Sequence, residues 1–362
     1  MTSRRSRSSF DTEYSTLKPP KLKRQVAQEL PSEITNGSTT YKIINFAAIA
    51  GHFIAAAVMI GVYTNRDELV VPYTENYQAW IKIENQTYKG VEMMNKTSCE
   101  YLSPPGRGLE TNVNGDWCVV PTTGSVGCDE NNENCTGLDL GWLVISFHLL
   151  SFIFQGAAAL TDACEQGFCG YKYSDMILSG KNPLRFIEYS ISASIMLMCI
   201  AIVNGISNMQ LILAIAVLTA SCQLCGMVVE FLPYRSSLKW ILHLVGWLQF
   251  MTAYYFIAHS FLKAVEETDG IGPPDFVWAI VIVLFLLYAS FGVVQLAELF
   301  CEMKCSETAC KNLPLWCRRN RKLGGIEGEI PPEYKEMIYV SLSLGAKLVL
   351  GLLIFTNVLF MR

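Results

Sequence analysis

The sequence predicts an all-α integral membrane protein, a bundle of seven transmembrane helices with a cytoplasmic amino terminus and an extracellular or lumenal carboxyl terminus. Three observations carry this. Apolar residues make up 51% of the chain against 17% charged, and they fall in blocks, which excludes an ordinary soluble domain. Seven blocks, at about 43–63, 140–160, 184–206, 209–232, 238–262, 276–300 and 337–360, approach the roughly 20 residues a helix needs to cross a bilayer. Lys and Arg crowd residues 1–42 and the connection after the sixth block, which marks those segments as cytoplasmic.

The elements follow in order. Residues 1–40, rich in Ser, Arg, Lys and Pro, read as a disordered basic cytoplasmic tail with no cleavable signal peptide. Residues 41–362 form the membrane domain, whose first span, with His52 in 49-IAGHFIAAAV-58, serves as an uncleaved anchor. The long connection 64–138 falls on the outer side. It holds the sequons 85-NQT-87, 95-NKT-97 and 134-NCT-136 together with Cys99, Cys118, Cys128 and Cys135, which suits glycosylation and disulfides in an oxidising lumen and a eukaryotic plasma membrane or endomembrane. Four cysteines allow three pairings, and the sequence chooses none. No secondary structure is assigned to this segment.

The second span carries His148 and Gln155. The third opens at 182-NPLRFIEYSISASIM-196, where Asn182 and Pro183 make a helix start. Glu188, Ser192 and Met196 are spaced i, i+4, i+8 and share one face. Spans three and four are joined at 204-NGISN-208 as a tight antiparallel hairpin. Cys222 and Cys225 form a C-x-x-C inside the fourth span, where apolar surroundings argue against a redox role. The fifth span carries Trp247 and the sixth carries Tyr288 and Phe291, aromatic residues available to line a pocket or to pack. The cysteines of 301–322 are spaced wrongly for a paired zinc motif and are expected as thiols.

The seventh span poses the chemical question, because Lys347 lies near its midpoint, where insertion of a lysine costs roughly 2.5–3.5 kcal/mol. In the derived topology spans three and seven run the same way. At 1.5 Å per residue Glu188 sits about 6 Å past Leu184 and Lys347 about 15 Å past Met337, and the lysine stem closes roughly 6 Å of the difference. Ser343, one turn before the lysine, offers a hydroxyl. Three readings of an opposed Lys347 and Glu188 stand open: a structural ion pair, a proton relay in a transporter, or an amine condensed with an aldehyde while the carboxylate balances the iminium.

The string 182-NPLRFIEYSIS-192 resembles the third-helix signature of heliorhodopsins, and 341-SLSLGAK-347 resembles their retinal-lysine helix, with weaker support from 288-YASFGVVQ-295. Seven spans with an inside amino terminus match that family. The resemblance covers residues from about 40 to the end. It implies all-trans retinal on Lys347 as a protonated Schiff base, Glu188 as counterion and Ser343 as a nearby hydrogen-bond partner. His52 resembles the first-helix histidine of the family's polar cavity. A second family histidine belongs in the second helix, so that place falls to His148 or has passed to Gln155. Tyr189, Ser192, Met196, Trp247, Tyr288 and Phe291 complete the expected surroundings of the polyene.

The expected function is therefore light sensing, signalling to an unknown cytoplasmic partner rather than pumping, in a homodimer bathed by membrane lipid. The alternatives are a light-gated or light-driven proton path, for which Glu230 and Glu298 near helix ends are candidate carriers, and a chromophore-free transporter or scaffold held by a Lys347–Glu188 pair. No paired-histidine metal motif, phosphate-binding glycine loop or nucleophile elbow is present, so no enzymatic activity is expected, and nothing points to nucleic acid.

Overall fold

The computed structural model describes residues 32–64, 137–163, 172–233, 236–267, 275–304 and 332–356, with strands at 70–82, 87–88, 91–92, 111–113 and 117–126. The long helices are α1 (Ser32–Tyr63), α2 (Leu140–Ala163), α4 (Pro183–Val203), α5 (Met209–Phe231), α6 (Leu238–Glu267), α7 (Asp275–Lys304) and α8 (Pro332–Ile354), and a short helix α3 (Tyr173–Leu178) precedes α4. The seven long helices are each long and apolar enough to cross a membrane. They pack in a closed ring, α1 against α2, α2 against α4, α4 against α5 and so on to α8, which returns to α1. α1, α4, α6 and α8 start on one face of the bundle, called here the near side.

Local chemistry sets the ends. Asn182 caps α4, its side-chain oxygen accepting from Arg185 N at 3.2 Å, and Pro183 opens the helix. Asn208 caps α5 in the same way, and Gly205, at φ 82°, makes the turn between them. Asp139 Oδ1 accepts from Trp142 N at 3.0 Å at the start of α2 and from Tyr63 OH at 2.5 Å at the end of α1, tying two helix ends together. Core residues of α1, α2, α4 and α8, among them Met59, Tyr63, Leu140, Val144, Phe147, Leu197, Ile200, Leu350 and Ile354, fill the far half of the bundle.

Several expectations need correction. Residues 64–138 contain strands β1 (Val70–Lys82), β2 (Thr87–Tyr88), β3 (Val91–Glu92), β4 (Thr111–Val113) and β5 (Trp117–Val126). With β6 (Gly137–Asp139), which runs straight into α2, they give a sheet of order β4-β5-β1-β6, β1 pairing antiparallel with β5 from Tyr73↔Val126 to Lys82↔Trp117. The side chains of Cys99, Cys118, Cys128 and Cys135, expected in an oxidising lumen, and of the sequon asparagines 85, 95 and 134 lie outside the described residues. The last span starts at Pro332, earlier than its hydropathy indicated, because Lys335 and Glu336 are buried in ion pairs rather than solvated. Cys301, expected as a thiol, is disulfide-bonded.

Candidate functional site

Lys347 stands on α8 with 3% of its side chain exposed, and its Nζ lies 2.7 Å from Glu188 Oε1 on α4. Ser151 on α2 joins both: it accepts from Lys347 Nζ and donates to Glu188 Oε1 at 2.6 Å. Three helices thus meet at one ammonium, one carboxylate and one hydroxyl. Ser151 was not singled out from sequence, although His148, Ser151 and Gln155 stand at i, i+3, i+7 on one helical face. Ser192 and Ser343 are buried beside the pair, each with an Oγ that has no hydrogen-bond partner.

One turn beyond Lys347 toward the far side, Gly351 leaves room for His148; a Cβ there would sit 2.8 Å from His148 Nε2. His148 Nδ1 meets His52 Nδ1 at 3.1 Å, with both rings fully buried and both Nε2 atoms unpartnered. The residue facing His52 is therefore His148. Gln155 lies two turns further along α2, buried, with its Oε1 unpartnered like Asn45 Oδ1 on α1.

Toward the near side the bundle holds a second, larger cluster of charge. Arg185 bonds Glu230 and Glu336, and Lys335 pairs with Glu230 and Glu298, each at 3.0 Å. Asn182 Nδ2 donates to Glu336 Oε1 at 2.9 Å, and Tyr173 OH donates to the same oxygen at 3.2 Å. Burial and that carboxylate push the Tyr173 phenol well above its ordinary value. Glu230 and Glu298, the candidate carriers of the alternative proton path, are both held in ion pairs. Arg185 also stacks on Tyr339 at 4.2 Å, and Tyr189 OH donates to Tyr339 O at 3.1 Å, so this cluster abuts the Lys347 site.

The ring of Tyr189, 5.3 Å from Lys347 Nζ, forms a wall of a cavity between α4, α5, α6 and α7. The cavity is lined by Phe186, Trp247, Phe250, Tyr288 and Phe291, with Arg185, His243 and Gln295 among its polar residues. Phe291 meets Tyr189 edge to face at 5.6 Å. Tyr288 OH donates to Ala193 O at 3.3 Å. Gly292 admits Trp247, whose ring would lie 2.8 Å from a Cβ at that position. Met196 does not line this cavity; it is buried in the apolar core. Such a mostly apolar space suits an apolar ligand, and it is the Tyr189 ring, not Lys347 itself, that lines its end nearest the amine.

Residues 109–301, more than half of the chain, match the family model described as heliorhodopsin. No curated protein matches the chain. Among solved structures, the transmembrane domain of the Salpingoeca rosetta rhodopsin phosphodiesterase is similar, at 9% identity and a TM-score of 0.49, over 94% of this chain and 93% of that one.

Proposed function

The chain belongs to the heliorhodopsin family, and on that premise we propose that it is a light-sensing membrane protein that holds all-trans retinal on Lys347, with Glu188 as counterion, and that signals rather than pumps. The observation that carries this is the buried contact of 2.7 Å between Lys347 Nζ and Glu188 Oε1. The family match includes Glu188 and ends before α8, so the role of Lys347 rests on this geometry and on the resemblance of its helix.

The residues present fit the chromophore. Lys347 offers the amine, the apolar cavity on the other side of the Tyr189 ring offers space for a polyene, and Gly292 lets the Trp247 ring lie against α7 as part of its wall. Bound retinal would supply absorption of visible light and a change of shape on illumination. Glu188 balances the cationic nitrogen, and Ser151 fixes which carboxylate oxygen faces it. The unpartnered hydroxyls of Ser192 and Ser343 are placed to take up hydrogen bonds when the pair rearranges. Tyr189 and Tyr339 connect that rearrangement to Arg185 and the near-side ion pairs, which hold α4, α5, α7 and α8 together.

Signalling over pumping is supported by the apolar core. Beyond the His52–His148 pair, Met59, Val144, Phe147 and Ile354 fill the far half among the described residues, where a proton would need polar partners. In this reading the near side is cytoplasmic, the basic residues ahead of α1 form its tail, α1 itself beginning at Ser32 rather than after residue 40, 64–138 face outward with glycans and disulfides, and two copies pair in a plasma or internal eukaryotic membrane. Its near-side loops then meet a cytoplasmic partner. The test is the visible spectrum of protein expressed with all-trans retinal. A band bleached by hydroxylamine and missing in Lys347→Ala is expected; folded protein without a band overturns the proposal and leaves the chromophore-free scaffold.

A further inference from the structure

A chain of directed hydrogen bonds lies at the polar edge of the cavity, running from its wall residue Trp247 through His243 and Gln295, two residues to which the retinal reading gives no role. Trp247 Nε1 donates to His243 Nε2 at 2.9 Å, His243 Nδ1 meets Gln295 Oε1 at 3.2 Å, and Gln295 Nε2 donates to Gly226 O at 3.0 Å. Each direction is forced. Indole is only a donor and a backbone carbonyl only an acceptor, so Nε2 of the histidine must be bare and the amide nitrogen of Gln295 must face Gly226. The amide oxygen then faces the histidine, whose single ring proton sits on Nδ1.

The backbone is shaped for this chain. A Cβ at Gly226 would come within 3.5 Å of Gln295 Nε2 and 2.8 Å of the Phe186 ring. On the other side Trp247 lies against Gly292, where a Cβ would be 2.8 Å from Cζ2 and 3.3 Å from Nε1. The indole is thus fixed by a hydrogen bond at its nitrogen and by contact along its ring. The chain starts and turns on α6, crosses to α7 and ends on α5.

The geometry points to His243 as a positioning residue: held in the Nδ1–H tautomer, it fixes Trp247 as a wall of the chromophore cavity and clamps α5, α6 and α7 around it. This rests on the retinal reading for its consequence, but not for its hydrogen bonds. A purely structural histidine would tolerate either tautomer and would leave the colour of the loaded protein unchanged.

The test uses full-length protein with and without all-trans retinal. In retinal-free protein, the ultraviolet resonance Raman marker of indole N–H bonding, read as the difference from Trp247→Phe, should report a bonded indole. It should be lost in His243→Phe and regained in His243→Gln, whose amide oxygen replaces Nε2 as acceptor. In loaded protein the visible maximum should shift in His243→Phe and return in His243→Gln. An unchanged Raman marker in His243→Phe overturns the relay, and a lost marker with an unchanged visible maximum overturns the positioning role. Should the phenylalanine variant fail to fold, nitrogen NMR of isotope-labelled histidine in the wild type, assigned against His243→Gln, decides: a proton on Nε2 overturns the inference. A missing visible band in every protein, wild type included, refutes the retinal reading while the Raman and NMR results still judge the relay.

Discussion

Replacing Lys347 and Glu188 singly and together measures whether the pair is a desolvated ion pair. At 2.7 Å, and with an effective interior dielectric of about 20, their attraction is about 6 kcal/mol. Solvent screens little of it, because the side chains are 3% and 5% exposed. Against this stands the cost of taking both charges out of water, so the pair as a whole is near neutral for stability. Removing one partner abandons the attraction and keeps the other's desolvation. Lys347→Met and Glu188→Gln should therefore each lower the stability of the retinal-free protein by about 3–5 kcal/mol, while the double variant should be as stable as wild type or more so. The assay is equilibrium unfolding in mixed micelles against a denaturing detergent, read as a double-mutant cycle. Single losses under about 1 kcal/mol that simply add in the double variant would refute the reasoning, since they describe an exposed, water-screened pair.

Ser151→Ala leaves the ion pair in place but removes its bridging hydroxyl; it should cost about 1.5–3 kcal/mol in the same assay and move the visible maximum of the loaded protein. Gly351→Ala drives a methyl to 2.8 Å from His148 Nε2 and Met59 Cε and should cost about 1–3 kcal/mol in thermal unfolding, whereas Gly345→Ala, with nothing within 4 Å of its Cβ, should not. Tyr173 contributes to alkaline stability with a definite sign. Its folded phenol is held neutral, while in the unfolded chain it ionises around its ordinary value of 10.0, so the contribution is full below that pH and is lost as the pH rises past it. Tyr173→Phe should flatten the fall in stability measured above pH about 10.

The seven spans were legible because lipid demands about 20 apolar residues of each, and nothing else in the chain imitates that pattern. The end of α8 that carries Lys335 and Glu336 was not legible. Hydropathy counts a charged residue as solvent-facing, and their partners, Arg185, Glu230 and Glu298, lie far away in sequence. The same distance hid the role of Ser151, since a lone serine in an apolar helix shows nothing until Lys347 and Glu188 are brought to it from α8 and α4. Lys347 and Glu188 could be named because each is expensive inside a membrane, the rise of their helices lets them meet, and both stand in strings that resemble heliorhodopsin helices. Histidines gave a weaker signal: His52 and His148 are 96 positions apart, and His148 and Gln155 share one face of the second helix, so the pattern fits either. His243 drew no assignment, because its partner Gln295 carries no charge to betray it. The strands of 64–138 were not legible because β1 and β5 each hold a proline, Pro72 and Pro121, and lack a clean alternation of apolar and polar residues.

The identity of the residue that carries the chromophore is the most direct thing to measure. Protein loaded with all-trans retinal, reduced with borohydride in the dark and digested, should yield one retinyl-bearing peptide, with the group on Lys347. Retinyl found on any other lysine, or on none although the visible band was present, would contradict the assignment of the buried amine between Ser151 and Glu188 as the attachment site.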